Sequence, residues 1–148
     1  MATLDRYEKA KVKVNDLKSQ PIESENQNFW YQRGERLADL GCYEEALVNF
    51  EKAIALAPQY CAAWVFRGAM QIHLKQYEEA LNSCNKALEI QPDDKEAWTF
   101  RGAALSHLGR YREAYDSYDR ATGNQPRSKW RKLWQNLMGW KQTNSLQT

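Results

Sequence analysis

The sequence has no long apolar run, and this absence removes one class of protein. Among its 148 residues no stretch is long and apolar enough to span a bilayer. The opening MATLDRYEKAKV also lacks the apolar core of a secretory signal peptide. We therefore expect a cytoplasmic protein. With 43% hydrophobic and 27% charged residues, the chain is long enough to bury a core and fits one domain.

Residue patterns that carry catalytic, metal-binding or disulfide chemistry are also missing. The three cysteines, Cys42, Cys61 and Cys84, are an odd number without CxxC or zinc-ligand spacing, so we expect reduced thiols that act as small apolar residues. The sequence contains no glycine-rich phosphate-binding loop, no nucleophile elbow and no cluster of metal ligands. We therefore predict that the protein is not an enzyme and holds neither a metal nor another cofactor.

Charge is unevenly placed, although the formal net charge is only +2. Residues 21–126 contain 11 basic and 16 acidic side chains, whereas residues 127–148 contain five basic side chains and no acidic one. The chain therefore has an acidic body and a basic tail.

One heptapeptide occurs almost unchanged at a spacing of 34 residues. AWVFRGA at 63–69 returns as AWTFRGA at 97–103, and FWYQRGE at 29–35 keeps the Trp and the Arg-Gly. Such a fixed period is typical of repeat architectures. The three copies extend over residues 27–60, 61–94 and 95–128. Nine columns are identical in all three copies: Trp30/Trp64/Trp98, Arg33/Arg67/Arg101, Gly34/Gly68/Gly102, Leu40/Leu74/Leu108, Tyr43/Tyr77/Tyr111, Glu45/Glu79/Glu113, Ala46/Ala80/Ala114, Ala53/Ala87/Ala121 and Pro58/Pro92/Pro126.

The pattern within each copy predicts two helices joined by a tight turn. Large apolar residues recur at steps of three or four up to the shared Leu, and a second helical run carries the two shared Ala until the Pro ends it. The shared Gly predicts close contact with a neighbouring helix, because an exposed helical glycine costs about 1 kcal/mol relative to alanine. In the third copy, Gly123 and Asn124 predict an early end of the second helix.

These columns resemble the tetratricopeptide repeat, whose 34-residue signature of Trp, Gly, Tyr, Ala, aromatic, Ala and Pro is matched by three tandem units. The resemblance covers residues 27–128 and implies an all-α fold, a right-handed α-α superhelix of three helix-turn-helix units. One departure is the Arg before each shared Gly, where the family usually has Leu. We predict that Arg33, Arg67 and Arg101 reach a polar or acidic neighbour.

The resemblance also implies a function. The first helices of such an array line a concave groove, which binds an extended peptide or a helix of another protein. The chain is therefore expected to be a protein–protein interaction adaptor or scaffold, monomeric or weakly self-associating. The family's groove positions correspond to these candidate contact residues: Tyr31, Gln32, Glu35, Asp39, Val65, Phe66, Ala69, Ile72, His73, Thr99, Phe100, Ala103, Ser106 and His107.

The groove residues indicate what kind of partner fits. One subfamily holds the C-terminal carboxylate of chaperone tails with Lys, Asn and Arg. The corresponding positions here are Tyr31, Glu35, Phe66, Glu96 and Phe100. Since none of the clamp residues is present, Phe66 and Phe100 favour an apolar or amphipathic partner segment instead. Alternatively, both rings pack against adjoining helices or against the N-terminal segment.

Two histidines, His73 and His107, occupy equivalent groove positions in the column of Asp39. Neighbouring helices lie about 8–10 Å apart, and no fourth ligand is evident, so we interpret them as solvated side chains rather than metal ligands. If they face an acidic ligand, their protonation would make binding depend on pH near neutrality.

The residues before the first copy form an N-terminal helical extension and linker, 1–26. Residues 3–18 predict a helix, and SQPIESEN at 19–26 reads as a linker broken at Pro21. A thin apolar stripe follows the helix: Leu4, Tyr7, Ala10, Val14 and Leu17. Three alternatives remain open for this segment: it caps the first unit, stays free, or lies in the groove as an internal ligand.

The residues after the third copy predict a capping helix at 129–141, for which Ser128 suits the N-cap position. The resemblance implies that this helix covers the apolar face of the last unit. Its sequence KWRKLWQNLMGWK is alternatively suited to an anionic membrane surface or nucleic acid, and an exposed Trp face would favour self-association. We expect the groove adaptor, with another protein as partner rather than nucleic acid or a membrane. Residues 142–148 are expected to be disordered.

Overall fold

The structure of the chain is a computed structural model that describes residues 8–9, 11–13, 15–16 and 26–123. The described residues before position 26 are helical, and no β-strand occurs in the described ranges. Six helices then follow one another: α1 Gln27–Asp39, α2 Tyr43–Leu56, α3 Cys61–His73, α4 Tyr77–Ile90, α5 Lys95–His107 and α6 Tyr111–Thr122. The predicted all-α fold of three helix-turn-helix units is confirmed.

Local sequence determines where α1 and α5 begin and where each first helix ends. Asn26 and Asp94 begin α1 and α5 as N-caps, because their side-chain oxygens accept hydrogen bonds of 2.9 and 2.7 Å from the backbone N–H three residues later. The turn after each first helix contains a left-handed residue. Gly41 and Gly109 have φ of 77° and 75°, whereas Lys75 has 61° in the equivalent position of the second repeat. This left-handed lysine costs about 1–2 kcal/mol.

The shared glycine of each first helix lies against the second helix of the same repeat. A Cβ added at these glycines would meet a side chain of that helix at the following closest distances: Gly34 to Phe50, 2.8 Å; Gly68 to Cys84, 2.9 Å; Gly102 to Tyr118, 2.6 Å. These distances are shorter than ordinary carbon contacts. The close helix contact predicted from the glycine column is confirmed in all three repeats.

The core continues from each repeat into the next. Trp30 is buried and packs against Ala53 of its own repeat and Ala63 of the second repeat. A further cluster joins Val65 and Ala87 of the second repeat to Ala97 of the third. Each unit thus buries part of its apolar surface only against its neighbour, which is the packing of a solenoid.

The third repeat ends differently from the first two. α6 has 12 residues where α2 and α4 have 14, and it is followed by Gly123 with φ of 65°. Glycine in this conformation is a common helix terminator. The predicted early end of the helix is confirmed. The predicted capping helix and the C-terminal tail lie outside the described residues, and the predicted domain limits stay predictions.

The outer side of α6 exposes two aromatic side chains. Tyr111 and Tyr115 are 62% and 68% exposed. Their equivalents in the second repeat, Tyr77 and Leu81, contact α5 instead, through a ring stack and a core cluster. The face that a following helix would cover is therefore uncovered within the described residues, and the capping helix stays a prediction.

Candidate functional site

The first helices of the three repeats together line a pocket of about 840 Å³, which we name the groove pocket. Most of its residues come from α1 and α3, and α5 contributes one aromatic ring. The lining residues are Gln32, Glu35, Arg36, Ala38, Asp39, Tyr43, Phe66, Ala69, Met70, His73 and Phe100. Because three consecutive units contribute, the pocket depends on the stacking of the repeats.

Phe66 belongs to an aromatic cluster that borders the groove pocket. Its ring lies 5.8 Å from that of Tyr31 in an edge-on arrangement and 5.8 Å from that of Phe50. Phe50 is fully buried, whereas Phe66 and Phe100 are half-buried. Phe100 likewise packs against the core and also lines the pocket. Both rings therefore pack against adjoining helices and also line the pocket. Their contact with a partner stays a prediction.

Seven of the predicted contact residues line the groove pocket: Gln32, Glu35, Asp39, Phe66, Ala69, His73 and Phe100. Val65 is instead a core residue, because it is 1% exposed and packs with Ala87 of α4 and Ala97 of α5. It has almost no surface to offer a partner. The remaining six do not line this pocket: Tyr31, Ile72, Thr99, Ala103, Ser106 and His107.

Ala38, at one of the family's groove positions, also lines the pocket. Three further pocket residues were not among the sequence candidates. Arg36 and Met70 occupy the same position of α1 and α3, one helical turn after Gln32 and Phe66, and Tyr43 opens α2. The groove positions implied by the family resemblance do not include that column. Arg36 and Met70 lie four residues after the predicted contact residues Gln32 and Phe66. This i, i+4 spacing was the signal that could have identified them.

The electrostatics of the groove are dominated by carboxylates. Burial raises the pKa of Tyr31 well above its usual range, and the charges of Glu35 and Glu96 raise it further. Burial and Glu35 likewise raise the pKa of Tyr60. Both phenols therefore stay protonated at neutral pH. Carboxylates from the first and third repeats thus act on the same tyrosine.

Each groove histidine stacks on a tyrosine of the preceding repeat. The rings of Tyr43 and His73 are 4.2 Å apart and 6° from parallel, and those of Tyr77 and His107 are 4.4 Å apart and 5° from parallel. Both histidines are exposed, and His73 lines the groove pocket. The stacks fix the ring planes across each repeat junction. Dependence of binding on histidine protonation stays a hypothesis.

Two of the three shared arginines bridge adjacent repeats. Arg67 of α3 donates hydrogen bonds of 3.3 and 3.2 Å to Glu51 of α2 and one of 2.8 Å to Ser83 of α4. Arg101 of α5 makes the equivalent bonds, of 2.9 and 2.7 Å, to α4 and α6. The prediction that this column reaches polar or acidic neighbours is confirmed for these two residues.

The described residues hold no group of three or more His, Cys, Asp or Glu side chains placed to bind a metal ion. None of the three cysteines forms a disulfide bond, and Cys84 is buried. No helix in the described part of the chain is long and apolar enough to cross a membrane. The groove pocket presents aromatic, carboxylate, guanidinium and imidazole groups.

Cys84 is expected to resist alkylation in the folded protein. Burial raises the pKa of its thiol to about 12 from an ordinary 9.0, and the thiolate is the reactive form. Since the fold favours the neutral thiol, this contribution to stability is constant below pH 9 and declines as pH rises toward 12. Iodoacetamide labelling with and without urea, read by peptide mass spectrometry, tests the expectation. Native labelling of Cys84 at the rate of a free cysteine would contradict it.

Comparison with known sequences identifies the repeats. The profile of the tetratricopeptide repeat family matches residues 37–104 and, in a second overlapping match, residues 71–138. The two matches together span more than half of the chain. No curated protein sequence matches the chain.

Solved structures show the same architecture. The first tetratricopeptide domain of Spaghetti (RPAP3), bound to the HSP90 peptide SRMEEVD, is 25% identical over 78% of this chain and 96% of its own, with a TM-score of 0.66. MamA from Desulfovibrio magneticus RS-1 is 25% identical over 79% and 67%, with a TM-score of 0.68. The Arabidopsis OM64 domain is 24% identical over 72% and 88%, with a TM-score of 0.65. With its three stacked helix pairs, this chain belongs to the tetratricopeptide repeat family.

Proposed function

We propose that this protein is a non-enzymatic adaptor that binds a segment of another protein in the groove pocket. The observation that carries the proposal is the half-buried pair Phe66 and Phe100, which line one pocket from successive repeats. A large apolar side chain of a peptide or helix, placed against both rings, would remove their remaining surface from water. Polar residues such as Gln32 at the pocket edge would orient the partner backbone.

The proposed ligand differs in charge from the peptide SRMEEVD bound by the RPAP3 domain. At the positions that form a carboxylate clamp in one subfamily, this chain has Glu35 and Glu96 beside aromatic rings. A carboxylate of the partner would meet carboxylates there, and juxtaposed like charges oppose binding. An acidic chaperone tail is therefore not the proposed ligand.

The charge of the groove favours a basic partner segment. Glu35 and Asp39 line the groove pocket, and Glu96 acts on the same tyrosine as Glu35, whereas Arg36 is the cation in the lining. Electrostatic complementarity then predicts Lys or Arg on either side of the inserted apolar side chain. The proposed partner is thus a basic, amphipathic segment of another protein.

Selection from a phage-displayed library of random peptides tests both parts of the proposal. We expect the selected peptides to be enriched in Lys and Arg around an aromatic or large aliphatic residue. The double variant Glu35→Lys/Glu96→Lys should bind these peptides at least about tenfold more weakly, because two attractions become repulsions. Fluorescence anisotropy with one selected peptide at several salt concentrations measures the change.

The matched control is Glu78→Lys/Glu89→Lys, which makes the same charge change at exposed positions of α4. This control should bind the peptide as tightly as the wild-type protein. If the selection yields no binding peptide, the proposal of a groove ligand is overturned. If it yields binders without basic residues, only the proposed charge of the partner is overturned.

The alternative function, contact of the basic C-terminal segment with a membrane surface or nucleic acid, concerns residues outside the described ranges. Within the described ranges, the carboxylates that line the groove pocket favour a protein partner over an anionic membrane or nucleic acid. We therefore do not propose the alternative.

A further inference from the structure

The hydrogen bonds of the shared arginine differ between the first repeat and the other two. Arg67 and Arg101 are each held by the second helix of the preceding repeat and by the second helix of their own repeat. Among the described residues Arg33 has neither bond. Its Nε is buried without a hydrogen-bond partner, and so is Oδ1 of Asn49, which is equivalent to Ser83. A buried donor without a partner costs about 1–3 kcal/mol, so an acceptor from a preceding element is expected.

The face of α1 that precedes the first repeat also differs from its equivalents. Ala63 and Ala97 are fully buried against the repeat before them, and the same column of α1 contains Phe29. Phe29 is half-buried and stands edge-on to Trp30, with ring centroids 5.2 Å apart. A larger side chain in this column does not fit the close approach of another repeat. It suits an element of different shape.

We propose that the N-terminal segment, residues 3–18, docks as a helix on this face of α1 and supplies an oxygen acceptor to Arg33 Nε. Its described residues are helical and all exposed, including Val12 at 58%. The side that we assign to packing is the apolar stripe predicted from the sequence. That stripe consists of Leu4, Tyr7, Ala10, Val14 and Leu17.

The chain between the two elements is long enough for this arrangement. The described helical residues end at Asp16, and α1 begins at Gln27. The residues between them span up to about 33 Å when extended, which lets the segment fold back onto the helix that follows. The proposal places the segment at the end of the array and leaves the groove pocket open to another protein.

Amide hydrogen exchange of the full chain, read by mass spectrometry, tests the docking. In the wild-type protein we expect peptides from residues 4–17 to exchange at least about tenfold more slowly than an unstructured chain. Arg33→Glu removes the donor and places a carboxylate at the acceptor, and Phe29→Asp removes the apolar contact. Both should abolish the protection of residues 4–17 while α3 to α6 stay protected. Lys86→Glu, an exposed charge reversal on α4, is the matched control.

Two results would overturn the proposal. One is exchange of residues 4–17 at the unstructured rate in the wild-type protein. The other is protection that survives both Arg33→Glu and Phe29→Asp, because the segment would then dock elsewhere. If Arg33→Glu also unfolds α1, the milder Arg33→Gln replaces it. Loss of protection at residues 4–17 with α1 intact supports the docking, and retained protection opposes it.

Discussion

Replacement of Phe50 by alanine is expected to lower the free energy of unfolding by about 3–5 kcal/mol, the usual range for a fully buried phenylalanine. Phe50 is 0% exposed, and its ring contacts Tyr31 of α1 and Phe66 of α3. It also fills the space that Gly34 leaves open. The variant would therefore contain a cavity where the first two repeats meet. Urea unfolding followed by circular dichroism measures the loss.

Val48→Ala is the matched control for this prediction, because Val48 lies on the same helix and is 49% exposed. It should change the free energy of unfolding by no more than about 0.5 kcal/mol. Adding Gly34→Ala to Phe50→Ala should recover about 1 kcal/mol, since alanine is the better helix former and the obstructing ring is gone. A loss below about 1 kcal/mol for Phe50→Ala would show that the site can collapse around the missing ring.

The fold could be predicted from the sequence because each structural feature occurs three times at a period of 34 residues. A feature inferred from one copy can therefore be checked against the other two. A single Gly in a helical pattern is ambiguous, but Gly34, Gly68 and Gly102 in one column predict one repeated packing contact, which the structure shows. The early end of α6 followed from Gly123, because a left-handed glycine stops a helix locally. Predictions of this kind need only local geometry and the repeat.

The groove pocket was predicted only in part, because two residues at equivalent positions of the repeat can differ in the exposure of their side chains. Val65 and Tyr31 share a column, yet Val65 is sealed between α4 and α5 while Tyr31 packs beside the pocket. The end of the array breaks the equivalence as well. Arg33 matches Arg67 in sequence, but it lies in the first repeat, and its Nε has no hydrogen-bond partner among the described residues. Partner identity depends on a molecule that the sequence does not contain.

Gly68→Val is expected to destabilise the protein by about 2–3 kcal/mol, the upper part of the range for an overpacked core. A Cβ at this position would lie 2.9 Å from Cys84 Sγ and 3.3 Å from the backbone oxygen of Ala80. Cys84 is fully buried and the second obstacle is backbone, so α4 itself must move. The better helix propensity of a residue other than glycine, worth less than about 1 kcal/mol, does not compensate. The midpoint of urea unfolding should fall accordingly.

The interpretation of this loss depends on two comparisons. Ala55→Val makes a similar change on an exposed surface of α2 and should shift the free energy of unfolding by no more than about 0.5 kcal/mol. Adding Cys84→Ala to Gly68→Val removes the sulfur contact but not the backbone contact, so we expect a favourable coupling of about 1 kcal/mol and an incomplete rescue. Full rescue would mean that the thiol alone limits helix approach. A Gly68→Val variant as stable as the Ala55→Val control would refute the account of the glycine column as a packing requirement, because a β-branched side chain would then fit between α3 and α4.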